Sequence, residues 1–137
     1  MFSENPYFEK SDVKGTLVAV LRGTLEDRGL TLIKPISRCV LKHEIHELIL
    51  SDQEGIGPGS TVNKIAYLGF VEIEQGGVLI SGDSLLWKGQ IIGTIAGFDE
   101  THMPNHQNIV ISCNKRITGE LLGCLPGDSI TFSQTKN

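Results

Sequence analysis

A glycine turn that recurs three times decides the fold: Pro58-Gly59-Ser60-Thr61-Val62, Ser81-Gly82-Asp83-Ser84-Leu85 and Pro126-Gly127-Asp128-Ser129-Ile130. Each copy places a glycine before a short polar residue, and an apolar run follows. Glycine adopts a positive φ at little cost, so it can reverse the chain just before a strand begins. The chain holds 16 glycines in 137 residues, which is typical of a barrel or sandwich of short strands.

Strand-like runs lie between and around these turns. They are Leu17–Leu21, Leu30–Ile33, Ile65–Ile73, Val78–Ile80, Ser84–Trp87, Gln90–Phe98, Asn108–Cys113 and Ser129–Phe132. The first two flank the turn at residues 26–29, so we expect them to pair as a hairpin.

Residues 37–52 fit two structures. Leu41, Ile45, Leu48 and Ile49 recur at helical spacing, but the same residues could form one long strand. We predict a helix, because Ser37 can cap its start and Gly55 lies soon after its end. The sequence therefore predicts a mostly β fold, a compact small antiparallel β-barrel with one short helix.

The sequence predicts three segments: an arm, one domain and a tail. We expect residues 1–12 to form an N-terminal arm, residues 13–133 a single β-barrel domain, and residues 134–137 a C-terminal tail. A length of 137 residues fits one domain with a real core.

Composition excludes several function classes. The net charge is −4 and the basic residues do not cluster, so we expect no nucleic-acid partner. The first ten residues lack the apolar core of a signal peptide, and no apolar run is long enough to span a bilayer. Three cysteines without a CxxC pair indicate reduced thiols and a cytoplasmic protein.

The four histidines lie in two short windows. The first is Lys42-His43-Glu44-Ile45-His46-Glu47, and the second runs from Asp99 to Asn108. Pro104 interrupts any helix in the second window, which we therefore expect to be a loop between two strands.

These windows support three interpretations. His43 and His46 are candidate catalytic residues, since imidazole is a general base and a phosphoryl acceptor near neutral pH. His43, His46, His102 and His106 together could bind a transition metal such as Zn. The ordinary alternative is that a histidine beside Glu44 and Glu47 is only a solvated polar side chain.

The second window is rich in hydrogen-bonding groups. We expect Asp99, Glu100, Thr101, Asn105 and Asn108 to bind a ligand, because functional residues concentrate on loops held by a rigid scaffold. Known catalytic motifs are absent: His43-Glu44-Ile45-His46 is one residue short of the spacing of zinc proteases.

The C-terminal half resembles the IIA component of the glucitol/sorbitol phosphotransferase system. The resemblance rests on residues 78–86, on Gly93-Thr94-Ile95-Ala96-Gly97, on His106 ahead of residues 109–111, and on residues 125–130. The family's phosphoryl-accepting motif is similar to residues 40–48, but this chain has an extra residue there and more than twenty additional residues before the shared half. The resemblance thus implies the fold more strongly than phosphocarrier activity.

Two functions follow as expectations. The first is a cytoplasmic small-ligand-binding domain related to the glucitol IIA component, with a small polar and sugar-like ligand. The second is a metal-binding protein or metal-dependent enzyme built on the four histidines. An assembly module without chemistry is a third option, and whether the chain forms a homo-oligomer stays open.

Overall fold

The computed structural model describes residues 5–135, in twelve strands and one short helix. The strands are β1 Val13–Val20, β2 Thr24–Leu25, β3 Leu30–Thr31, β4 Ser37–Val40, β5 Ile45–Ser51, β6 Thr61–Val62, β7 Ile65–Gln75, β8 Gly77–Ile80, β9 Ser84–Trp87, β10 Gln90–Asp99, β11 Asn108–Ser112 and β12 Ser129–Ser133. The helix, α1, covers Gly119–Leu122. The mostly β prediction is confirmed.

The main sheet closes on itself. Its strands pair in the order β1-β12-β9-β10-β11-β5-β7-β2, and β1 also pairs with β7. Seven strands therefore form a ring, and β2 is attached to the side of β7. Two small ladders, β3 with β6 and β4 with β8, complete the pairing of the described residues.

One pairing prediction was wrong. The first two strand runs do not form a hairpin, because β1 pairs with β12 and β7 while β3 pairs with β6. The ring is mostly antiparallel, and only β5 and β11 run parallel within it, with Glu47 opposite Asn108. These pairings join segments far apart in sequence, which local patterns do not encode.

The helix predicted for residues 37–52 is also wrong. That segment forms β4, a turn at residues 42–43 and β5. Every β5 residue from His46 to Ser51 is buried, so both faces of this strand are covered. A strand buried on both faces shows a continuous apolar run instead of an alternating pattern, and such a run can imitate helical spacing.

Two apolar clusters cover β5. Leu48 and Leu50 belong to the core inside the ring, together with Phe98 and Phe132. On the opposite face, Ile49 packs in a second cluster. That outer cluster contains Leu30, Leu32, Val62, Ile65, Ala96 and Val110. The segment that carries β3 therefore acts as a cover over part of the outer face.

The single short helix lies elsewhere in the chain. Thr118 caps its start by accepting a hydrogen bond from the Leu121 N–H, and Gly123 ends it at a positive φ of 94°. Gly119 packs closely, since an added Cβ would lie 2.0 Å from the Leu68 carbonyl oxygen. No helix in residues 5–135 is long and apolar enough to cross a membrane.

The three glycine turns form as predicted. Gly59, Gly82 and Gly127 have φ values of 88°, 99° and 98°, and β6, β9 and β12 begin shortly after them. Each turn is also closed by a side chain. The Asp83 carboxylate accepts from the Ile80 N–H at 2.9 Å, Asp128 accepts from the Leu125 N–H at 2.8 Å, and the Ser60 hydroxyl accepts from the Gly57 N–H at 3.0 Å.

The described part of the N-terminal arm is tied to the ring. The Lys10 ammonium lies 2.8 Å from the Asp83 carboxylate, and both side chains are buried. The Tyr7 hydroxyl lies 3.1 Å from the Ser37 hydroxyl. Residues 1–4 of the predicted arm and residues 136–137 of the predicted tail lie outside the described residues.

We expect Gly127→Ala to lower the free energy of unfolding by about 1–2 kcal/mol, because an L side chain is strained at positive φ. Gly57→Ala is the matched control: neither glycine has an atom near its added Cβ, but only Gly127 has a positive φ. Denaturant unfolding of both variants measures the difference. Equal stabilities for the two variants would contradict this account of the turns.

Candidate functional site

Four residues form a row across four neighbouring strands. Asp99 pairs with Asn108, Asn108 with Glu47, and Glu47 with Phe70. Residues directly opposite each other share a face of the sheet, and this face is the one that carries the outer apolar cluster. We call Asp99, Asn108, Glu47 and Phe70 the outer polar row.

Glu47 is the chemically unusual member of the row. Its side chain is buried, and one carboxylate oxygen lies 3.4 Å from His106 Nε2. Burial raises the pKa of the Glu47 carboxyl, and the nearby His106, His102 and Arg28 pull it down without cancelling that effect. A buried carboxyl with a raised pKa beside an imidazole is an arrangement found at functional sites.

The loop after β10 brings two histidines over the row. The rings of His102 and His106 lie 5.0 Å apart, and the His106 ring meets Phe70 edge-on at 5.2 Å. The Asn105 amide nitrogen lies 3.0 Å from His106 Nδ1. An amide nitrogen can only donate, so Nδ1 accepts in this contact, while Nε2, 3.4 Å from Glu47, is buried and makes no hydrogen bond.

The other end of the row is mostly structural. Asp99 is buried and accepts hydrogen bonds from the Thr31 N–H, the Thr101 N–H and the Asn108 amide nitrogen. Because the Asn108 amide nitrogen is held by Asp99, its oxygen faces away from Asp99. That oxygen is buried and has no hydrogen-bond partner.

A second histidine–glutamate pair lies further along β7. His43 Nδ1 is 3.7 Å from the Glu72 carboxylate, and Glu72 lies opposite Ile45, two residues before Glu47 on β5. A cavity of about 470 Å³ is lined by Thr16, Lys42, His43, Glu72 and Glu74. Phe70 therefore neighbours a glutamate of each pair: Glu47 lies opposite it on β5, and Glu72 lies two residues further along β7.

His46 belongs to the opposite face of β5. It is buried, and its Nδ1 accepts a hydrogen bond from the Gln107 N–H at 2.9 Å. Its Nε2 therefore carries the proton and lies 3.2 Å from the Glu44 carboxylate. Although burial alone would raise the pKa of Glu44, hydrogen bonds from the Leu41 N–H and from His46 lower it overall. Both nitrogens of the His46 imidazole are thus hydrogen-bonded within the protein. They link β5 to the Gln107 backbone and to Glu44 at the end of the ring of strands.

The remaining candidate residues have structural or exposed positions. Glu100 forms an ion pair with Arg38 at 3.0 Å and accepts from the Gln107 amide at 3.3 Å. Thr101 and Asn105 are exposed on the loop.

The four histidines do not converge on one point. His43 contacts Glu72, His46 contacts Glu44 and the Gln107 backbone, and His102 stacks on His106 beside Glu47. Across residues 5–135, no group of three or more His, Cys, Asp or Glu side chains is arranged to hold a metal ion.

Comparison with known protein families identifies this domain. The profile of a family of unknown function, DUF6917, matches residues 7–133. The chain belongs to this family. No curated protein and no solved structure matches it. The matched span contains the outer polar row and both histidine–glutamate pairs, so the whole candidate site lies within the DUF6917 domain.

Sequence reasoning missed three residues of this site in the DUF6917 domain. Glu47 resembled an ordinary surface acid of a helix, because its burial depends on the misread strand β5. Phe70 and Glu72 lie in a recognised strand, but nothing local indicates which face of β7 meets the histidines. The useful signal was the position of Glu47 directly before the apolar run Leu48-Ile49-Leu50. Burial of a carboxylate at the end of a fully buried strand is unfavourable, so such a residue is a candidate for a specific role.

We expect Glu47→Gln to be more stable than the parent protein at about pH 7.5, with the gain shrinking as the pH falls to about 4. A carboxyl with a raised folded-state pKa favours folding below its unfolded pKa of about 4.3, and this contribution is lost as the pH rises through the folded pKa. Thermal melts across this range measure the effect.

The exposed Glu54 provides the control, because Glu54→Gln should change stability little at any pH. A Glu47→Gln variant that is destabilised at neutral pH would show that the charge of Glu47 supports the fold.

His46→Ala should lower the free energy of unfolding by about 2–3 kcal/mol, because the buried Gln107 N–H loses its acceptor and a cavity remains. His43→Ala, at an exposed turn position, should cost less than about 0.5 kcal/mol. Urea unfolding compares the two. Similar losses for both variants would contradict the structural role assigned to His46.

Proposed function

We propose that this chain is a cytoplasmic domain that binds a small, polar, sugar-like ligand on the outer face of its sheet. The observation that carries the proposal is the placement of Phe70 next to Glu47 and Glu72, the glutamates of the two histidine–glutamate pairs, with the His43–Glu72 pair lining a cavity of about 470 Å³. Small-ligand sites typically combine an aromatic or apolar surface with a few placed polar groups.

The hydrogen-bonding groups suit a hydroxyl-bearing ligand. The Glu47 and Glu72 carboxylates are acceptors on this face, and the exposed His43 imidazole beside Glu72 adds a further polar group. A ligand hydroxyl can donate to either carboxylate. The Phe70 ring offers an apolar surface for the carbon atoms of the ligand.

We also infer that the ring of seven strands is a small barrel. Pairing of β1 with both β7 and β12 supports this, and so does the apolar cluster inside the ring. A rigid barrel wall suits the proposed function, because it fixes Glu47 and Phe70 on adjacent strands while the loop supplies the histidines.

Kinship with the glucitol/sorbitol IIA component is part of this proposal, without a phosphoryl acceptor at His46. His46 lies in the segment similar to the phosphoryl-accepting motif, but its Nδ1 accepts a backbone hydrogen bond and its Nε2 carries a proton toward Glu44. A nucleophilic imidazole needs a free lone pair. A cytoplasmic location agrees with three cysteines that form no disulfide in the described chain.

The proposal is tested by amide NMR titration with a panel of hexoses, hexitols and amino sugars at millimolar concentrations. At least one compound should shift the amide signals of Glu47, Phe70 and Glu72 saturably. Glu47→Gln should weaken that binding about tenfold or more, which is about 1.4 kcal/mol.

Glu54→Gln is the matched control and should bind as the parent protein does. A panel without any saturable shift at these amides, or binding that is unchanged by Glu47→Gln, would overturn the proposed function.

A further inference from the structure

We propose that a second copy of this chain docks on an apolar groove beside α1, so that two copies form a dimer with a two-fold axis. The groove is a cavity of about 440 Å³, and the apolar residues along it are Val20, Leu21, Cys124, Leu125 and Pro126. We call this cavity the α1 groove. It shares no residue with the outer polar row or with the cavity of the proposed ligand site, so this inference is independent of the proposed function.

Two leucine side chains project from the surface around the α1 groove. Leu121, within α1, is 74% exposed, and Leu125, three residues after the end of α1, is 65% exposed. Cys124 is buried, and burial raises the pKa of its thiol to about 11, so this lining residue stays uncharged at neutral pH. Exposed apolar surface with a polar rim is typical of protein interaction sites. This surface presents both an apolar cavity and leucines that fit into one.

The charged side chains around the α1 groove are balanced. Arg22 Nη1 lies 3.9 Å from the Glu120 carboxylate, and these side chains are 82% and 57% exposed. An exposed ion pair at this distance contributes little energy, so both groups are free to pair with another molecule. The charged groups that act on Cys124 are Asp128 and Lys88, again one of each sign. The chain as a whole carries a net charge of −4, so two copies repel each other least where the local charge is balanced.

Two-fold symmetry makes this surface its own complement. In a dimer with a two-fold axis, each contact between two different residues occurs twice with the roles exchanged. Arg22 of one copy then faces Glu120 of the other in both directions, while Leu121 of each copy enters the α1 groove of the other. A partner with a surface of one charge sign would leave either Arg22 or Glu120 opposite a like charge. The charge pattern therefore favours a second copy as the occupant.

Sedimentation velocity of the full chain, from about 5 µM to about 500 µM, tests the proposal. At the highest concentration the parent protein should approach twice its monomer mass of 14.9 kDa. Leu121→Glu should raise the dissociation constant of the dimer at least about tenfold, because it buries a charge in an apolar contact. Leu41→Glu is the matched control, since Leu41 is 68% exposed and lies outside the α1 groove. Thermal melts verify that the variants fold, and Leu125→Glu takes the place of Leu121→Glu if that variant does not.

Charge reversal tests the two-fold arrangement itself. Arg22→Glu and Glu120→Arg should each weaken the dimer at least about tenfold, because each places like charges opposite each other twice. An equimolar mixture of these two variants should associate as the parent does, since one then carries two acids at these positions and the other carries two bases. Mixing cannot repair an ion pair that is lost within a single chain, so this result is specific to contact between copies.

Four results overturn the proposal. They are a parent protein that stays monomeric at the highest concentration, a dimer that Leu121→Glu and Leu125→Glu leave unchanged, equal weakening by Leu41→Glu, and a mixture that associates no better than the single variants. A monomeric parent would leave the α1 groove to a ligand or to a different protein.

Discussion

The structure depends on one strand that is buried on both faces. β5 pairs in parallel with β11 and antiparallel with β7, with the core of the ring on one side and the outer apolar cluster on the other. At the end of this strand, two consecutive polar residues must be accommodated. His46 turns toward the interior and binds the Gln107 backbone, while Glu47 turns outward and meets His106.

Two polar groups lie at this end of β5. His46, Glu44, Gln107, Glu100 and Arg38 are linked by hydrogen bonds and ion pairs, although Gln107 Oε1 and Arg38 Nε have no partner. The outer polar row is distinguished by Glu47, a buried carboxyl with a raised pKa. Such carboxyls concentrate at functional sites, which is why the proposed ligand site is on the outer face.

Local chemistry explains what the sequence could predict. The glycine turns are encoded within five residues, because φ and a closing side chain are properties of the turn itself. The strands around them and the loop after Asp99 follow from the same local signals. Double burial of β5 and its parallel pairing depend on distant segments, so the helix prediction failed there, and Glu47 could not be recognised from its neighbours.

Direct titration of the Glu47 carboxyl, followed by the chemical shift of its side-chain carbon, tests the central claim most directly. The account predicts that Glu47 titrates at a higher pH than an ordinary glutamate carboxyl, because burial raises its pKa. A Glu47 whose midpoint lies in the ordinary range of a glutamate would contradict it.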